Sequence, residues 1–467
     1  MPTITSPVPT APVSTALPWR TRLAYGFGGI LDQWGIFGTK STANVVFNVV
    51  LGVSPVTIGV VLAVARLWDA FADPLMGSIS DNARTRWGRR KPFVVIGAIL
   101  CGLTFPIVWM LPLSLGAQGQ FLWLLLSLLV FYCAFTVFTV PYHAMGYELA
   151  TGYHEKTSLF AVRTFIAQTV SIIMAWTFPI LQSGWLGDPV RSVHTLGWII
   201  GGVILVFGVL PGLFVPVERA PAASRQPALG FIESLRIAAR SRLLLLVLTI
   251  ASISLVGLNM VNLLGNYITI YYVFGGDPTA AAPLVALTGS LWALLSMLLS
   301  PVVAWFSRRV GKRAAFAWLL GCALIGTLSK WWLYTPEHPY WQLGVIVLLT
   351  PGTLSLWLIS ESMVADVCEY DRLRTGRRTE GVYSALYAWL LKGGIALALL
   401  IANLILQFSG FDVARGADQS PETILWLRAL FAFVPAVSLL VSLVLLSFYR
   451  LDEATMNDVH RQLNATP

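Results

Sequence analysis

Charge is scarce in this chain. Asp, Glu, Lys and Arg make up 11% of its 467 residues, less than half of the ~25% usual in soluble domains. With 56% hydrophobic residues and a mean hydropathy of +0.73, a water-soluble fold could not hide the apolar surface. The composition implies an all-α, multi-pass membrane protein. Cysteine is scarce too: Cys101, Cys133, Cys322 and Cys368 lie far apart and form no CxxC pair. Neither a disulfide framework nor a metal site is indicated. The five histidines are scattered, and no nucleophile elbow or phosphate loop is present, so enzymatic chemistry is not expected. A sensor would be expected to carry a soluble output domain, and none is visible. The first 18 residues, rich in Pro, Thr and Ser, show no basic segment leading into an apolar core, so no cleaved signal peptide is expected there.

Long apolar runs are what the chain has in abundance. Twelve stretches of the ~20 residues a span needs fall near 24–51, 56–80, 92–114, 120–145, 158–183, 195–217, 243–274, 281–306, 313–335, 340–367, 381–409 and 424–449. The net charge of +9 would suggest nucleic acid in a soluble protein. Here the basic residues sit in every second loop: Arg84 to Lys91, Lys156, Arg219 to Arg242, Arg308 to Arg313 and Arg372 to Arg378. That alternation reports orientation, with both termini cytoplasmic. The partner implied is a lipid bilayer, not nucleic acid.

The basic stretch 218–242 divides the chain near its midpoint. Each half then carries a basic turn between its second and third spans, ending Gly88–Lys91 and Gly311–Arg313. Two matching six-span halves suggest parallel repeats, as in major facilitator transporters. The expected organisation is a disordered tail (1–18), a first six-helix bundle (19–217), a linker (218–242), a second bundle (243–450) and a cytoplasmic tail (451–467). A substrate cavity would lie between the bundles near the midplane.

The few charges inside the apolar runs are informative. Asp69 and Asp73 lie one helical turn apart on one face, with Arg66 on the same stripe. A single charge at a helix centre costs about 2.5 to 3.5 kcal/mol, so the pair must face the interior of the bundle. A bound cation, a shared proton, or ion pairs with Arg66 and another helix would neutralise it. Lys392, inside the eleventh run, needs an acidic partner, and Asp69 or Asp73 would tie the two halves together. Arg163, at the start of the fifth run, either snorkels to the surface or reaches inward. Asp366 and Glu369 end the tenth span among arginines that include Arg377 and Arg378, which suggests gate ion pairs. Asn259, Asn262 and Asn266 form a polar stripe on the seventh span. Trp357 and Trp389 sit well inside their spans, where an indole can stack on a sugar ring or simply pack.

Several segments resemble one family in order and spacing: YGFG (25–28), RLWDAFADPLMG (66–77), RTRWGRRKPF (84–93), VPYHAMGYEL (140–149), ESMVADVCEYDRLRTGRRTEG (361–381) and LLKGG (390–394). The chain is similar over most of its length to the glycoside–pentoside–hexuronide:cation symporters, the melibiose permease-like branch of the major facilitator superfamily. The resemblance implies twelve transmembrane helices in two bundles and alternating access driven by a cation, H+ or Na+, with no other cofactor. It places the coupling cation at Asp69 and Asp73, assisted by Thr136 and Lys392. It places substrate near Arg163 and Trp357, with Tyr25 and Trp389 as further candidates. Where the family has sugar-anchoring aspartates, this chain has Gln33, with Asp32 beside it, and Thr139; His143 replaces a tryptophan. Such losses argue against melibiose itself and leave an anionic sugar open. Ala72 stands where the family has an asparagine ligand, which tilts the coupling ion toward protons. The expectation is a monomeric inner-membrane sugar or glycoside symporter. A lysophospholipid transporter of the same fold is the alternative.

Overall fold

The structure, a computed structural model, describes residues 17–149, 153–216, 241–375, 380–412 and, with short interruptions, 415–462. The tail 1–18 and the linker 218–242 lie almost wholly outside the described residues. Regular structure among the described residues is helical throughout, as hydrocarbon requires: only a helix satisfies its own backbone in a single strand of chain.

The first helix, α1, covers 19–50, with π-helical stretches at Trp34–Gly38 and Asn44–Val50. Then come α2 (Pro55–Asn82), α3 (Lys91–Trp109), α4 (Ala117–Leu149), α5 (153–182, interrupted at Trp176) and α6 (Pro189–Phe214). The second half holds α7 (Arg242–Val273, π-helical over Ile268–Val273), α8 (Pro278–Val310) and α9 (Lys312–Leu333). It ends with α10 (Gln342–Thr375), α11 (Glu380–Phe408) and α12 (Pro421–Ser447). Among the described residues, α2 to α12 are the eleven helices long and apolar enough to cross a membrane.

Local chemistry sets several helix starts, and it does so twice over. α2, α6, α8 and α12 open with a Ser–Pro or Asp–Pro pair, at 54–55, 188–189, 277–278 and 420–421. Proline suits the first helical position because its missing N–H has no helical partner there. The caps of the last three accept first-turn amides: Asp188 from Arg191 at 3.0 Å, Asp277 from Thr279 at 2.9 Å and Ser420 from Thr423 at 3.1 Å. These are the second and sixth helices of each half.

Packing repeats as well. In each half the first helix packs on the fifth and sixth, the second on the fourth, and the third on the fourth and sixth. Across the halves, α2 packs on α11 and α5 on α8, a pair of contacts that exchange under the same two-fold relation. Since lipid gives no hydrophobic drive between helices, close approach depends on small residues. At the α3–α6 crossing a Cβ on Gly201 would lie 2.6 Å from the Gly102 carbonyl oxygen. The next residue, Gly202, faces open space. Gly201→Ala is therefore expected to lower thermal stability in detergent by about 1–3 kcal/mol, the usual cost of overpacking, while Gly202→Ala leaves it level or raises it. Equal melting temperatures for the two variants would show that the crossing is not limited by backbone contact.

Candidate functional site

Asp69 is fully buried on α2 and is held from two directions. Thr136 on α4 donates to its Oδ1 at 3.0 Å, and Lys392 on α11 donates to its Oδ2 at 2.8 Å. The same ammonium hydrogen-bonds Asp73 Oδ2, so one lysine from the second half bridges both carboxylates of the first. Arg66 stands 3.9 Å from Asp69, but its firmer contacts are the carbonyls of Gly35 and Ile36 and the face of Tyr132, 4.7 Å away. Those carbonyls belong to the π-helical stretch of α1. Arg66 thus ties α2 to α1, and Lys392 ties α2 to α11. The ion pair with another helix is formed by Lys392. One acceptor is left over: Asp73 Oδ1 is buried with no hydrogen-bond partner.

A second polar cluster lies within the first half. Asp32 on α1 accepts from Thr139 at 2.9 Å and pairs with Arg163 of α5. His143 Nε2 lies 3.1 Å from Asp32 Oδ1 and 2.9 Å from the Arg163 guanidinium. Arg163 therefore reaches inward. Behind it, Tyr142 donates to the Tyr25 carbonyl at 2.8 Å, and the two rings stack at 4.7 Å. Tyr25 is fully buried in this stack and forms its support, away from the cavity wall.

The cavity lies between the halves and has a volume of about 260 Å³. Gln33 of α1, Asn259 and Asn266 of α7, Trp292 of α8 and Trp357 of α10 line it. Gln33 is braced by a 2.5 Å hydrogen bond to Ser171. Trp389 does not line the cavity; it packs edge-on against Phe71 near the Lys392 bridge. The side chain of Asn262 lies outside the described residues.

Ion pairs at the basic ends of the helices repeat between the halves. Arg89 and Arg90, after α2, meet Glu148 at the end of α4, at 2.8 and 2.6 Å. Lys312, after α8, meets Asp366 near the end of α10 at 2.7 Å. Asp366 is thus held by a lysine of its own half, and Arg377 and Arg378 lie outside the described residues. Glu369 lies on the same helix end as Asp366.

Two features escaped the sequence reading. At the opposite end of the helices, Asn44 donates to Asn403 at 2.7 Å, and Tyr267 donates to Asn48 at 2.5 Å. Tyr267 and Tyr271 pack edge-on against Phe411. This uncharged seam joins α1, α7 and α11, and asparagines inside apolar runs were its only signal. The other is Lys330, fully buried on α9, 3.3 Å from the Phe431 carbonyl and 4.3 Å from that ring's centroid.

Comparison with known proteins agrees with this architecture. A family model described as MFS/sugar transport protein matches residues 37–453. The isoprimeverose transporter of Lactiplantibacillus pentosus is 24% identical, covering 96% of this chain and 93% of that protein. The sodium-dependent lysophosphatidylcholine symporter 1 of Gallus gallus is 23% identical, covering 93% and 87%. Among solved structures, the nucleoside transporter NupG superposes with a TM-score of 0.64 at 15% identity, covering 92% of this chain and 99% of that one; this likeness concerns the fold.

Removing one partner from a buried ion pair leaves the other charge uncompensated, at a cost of about 3–5 kcal/mol. Lys392→Ala is expected to lower the unfolding temperature sharply, and adding Asp69→Asn and Asp73→Asn to it should recover most of the loss. A single variant that melts with the wild type would mean that the bridge carries little of the contact between halves.

Proposed function

The chain belongs to the MFS/sugar transport protein family, and we propose that it is a cation-coupled symporter for a sugar or glycoside, working by alternating access. In this reading it acts as a monomer in the inner membrane and carries out transport, not enzymatic chemistry. The observation that supports it most is the Lys392 bridge, in which two carboxylates of one half share a single ammonium of the other.

Such a bridge suits a coupling site. Lys392 bonds both aspartates, while Arg66, 3.9 Å from Asp69, makes its firmer contacts with backbone carbonyls, so Asp73 relies on the lysine alone. A cation arriving at Asp73 would compete with Lys392 for the same oxygens. Its arrival would loosen the contact between α2 and α11, so cation binding and the movement of the halves become linked. Entry of one positive charge with the sugar also draws on the membrane potential, about 2.3 kcal/mol per 100 mV. We favour the proton as that cation. Thr136 is the uncharged oxygen donor bonded to Asp69, and Ala72 supplies none, whereas hard metal cations take several oxygen ligands.

Polar amides and two indoles line the cavity, a combination that hydrogen-bonds hydroxyls and stacks on a pyranose face. Its volume of about 260 Å³ lies just under the ~300–1,000 Å³ of drug-sized ligand sites, which favours a small sugar over a lysophospholipid. The lipid alternative keeps one argument, the lysophosphatidylcholine relative.

Asp69→Asn is expected to abolish sugar accumulation driven by a cation gradient in reconstituted vesicles, while exchange of internal for external sugar persists. Undiminished accumulation by this variant would remove Asp69 from the coupling site.

A further inference from the structure

Glu361 is a carboxylate within α10 that belongs to neither polar cluster. Among the described residues it has no hydrogen bond and no ion pair. An ionisable side chain inside a span is costly, and its usual reason is function. Trp357, one turn earlier on the same face, lines the cavity between the halves. Glu361 is exposed, although Ser360 beside it and Tyr387 of α11, within its electrostatic reach, are buried. The internal repeat shows which way it faces. His143 stands five residues before Glu148, and Glu361 five before Asp366, the two acids gripped by the basic turns. Glu361 thus takes on α10 the place of His143 on α4, whose side chain is 36% exposed. Both face the opening between the halves.

We propose that Glu361 is the alternate partner of Lys392: when the coupling cation occupies Asp69 and Asp73, the ammonium leaves the first half and pairs with Glu361 of its own half. This rests on the coupling reading above and deepens it by assigning a positioning residue, which acts on the cation site through the lysine.

The displaced charge needs such a partner. A cation at Asp69 and Asp73 competes with an ammonium that these surroundings do not leave bare without cost. Other acids of the second half are engaged nearer the basic end of α10, Asp366 by Lys312 and Asp371 by the Tyr383 hydroxyl. Glu361 is deeper in the span and unpaired among the described residues.

Geometry favours the transfer. α10 and α11 run antiparallel and are tied by a 2.6 Å hydrogen bond between Ser360 and Tyr387. Side chains in a helix lean toward its N-terminus. Glu361 therefore leans away from the basic end of the bundle, and Lys392 leans toward it, so the two approach in depth. Lys392 follows Tyr387 by five residues, about 7.5 Å along the axis, and its flexible four-carbon stem closes much of that gap. Its side chain and that of Asp73 are 26% and 28% exposed, whereas Asp69 is fully buried, so the ammonium has open space on one side. The first half already makes the equivalent contact: His143 of α4 lies 2.9 Å from Arg163 of α5. Arg163 and Lys392 stand at nearly the same distance from the starts of their helices, Tyr153 and Glu380.

Melting temperatures of the purified full-length protein test this without any sugar. Asp69→Asn with Asp73→Asn imitates carboxylates neutralised by a cation, and this double variant is expected to fold, because Lys392 then pairs with Glu361. Glu361→Gln should leave the wild type nearly unchanged, since the carboxylate is unpaired there, but should lower the melting temperature of the double variant by several degrees. Adding Lys392→Ala to the double variant should remove that sensitivity to Glu361→Gln. A carboxylate with a merely structural role would give the same shift in all three backgrounds. Equal shifts would overturn the proposal, as would a double variant that fails to fold, or a sensitivity that persists without Lys392. Each of these results counts against the lysine transfer alone and leaves symport standing. Symport is judged separately, by the accumulation of sugar in vesicles with Asp69→Asn.

Discussion

A lysine ammonium shared between two carboxylates, in a medium that does not solvate charge, is the interaction on which the rest of this molecule depends. Asp69 and Asp73 repel each other on one face of α2, and hydrocarbon offers no water to separate them. The basic residue nearest to them in sequence, Arg66, makes its firmer contacts with the carbonyls of Gly35 and Ile36. The compensating charge therefore comes from α11, more than three hundred residues along the chain, and the two halves are joined at the point where each is least able to stand alone. Because the bond is ionic, another cation can replace it. An apolar contact of equal strength would hold the halves together but would not respond to an ion.

Around this bridge the molecule is built twice. Ser–Pro and Asp–Pro starts recur at α2 and α8 and at α6 and α12, and basic turns after α2 and α8 grip acids on α4 and α10. The cross-half contacts α2–α11 and α5–α8 exchange under the same relation. The repeat breaks at the site: the Asp69–Asp73 pair and the Asp32 cluster belong to the first half, whereas the bridging amine belongs to the second. Division of labour between halves of one architecture lets a rigid scaffold carry an asymmetric mechanism.

The spans were legible because the bilayer imposes a length and backbone hydrogen bonding imposes a helix. Their ends were less so. The start of α6 was expected near 195, since Arg191 and His194 interrupt the apolar run, yet the Asp188–Pro189 cap sets it at Pro189. α10 continues to Thr375, past the expected 367, because its last turns leave the apolar region while staying helical. α3 stops at Trp109, well before the expected 114: the residues after it stay apolar without staying helical. Within the site, the one-turn spacing of Asp69 and Asp73 and the isolation of Lys392 pointed to each other. Family likeness drew attention to Thr136, which does bond Asp69. Family likeness put Asp32, His143 and Arg163 near one substrate, but their bonding to one another was not readable, because three residues from three helices meet only through tertiary packing. The same holds for Asn44 and Asn403, which nothing in the local sequence connects. Trp389 shows the reverse error: depth in a span does not tell which face an indole takes.

The coupling claim is tested most directly by following external pH as single glycosides are added to sodium-free vesicles containing the protein, then repeating the experiment with sodium. External alkalinisation in proportion to sugar entry, with sodium making no difference, is the expected result. Sugar entry with neither proton nor sodium movement would contradict coupling through the Asp69–Asp73–Lys392 bridge.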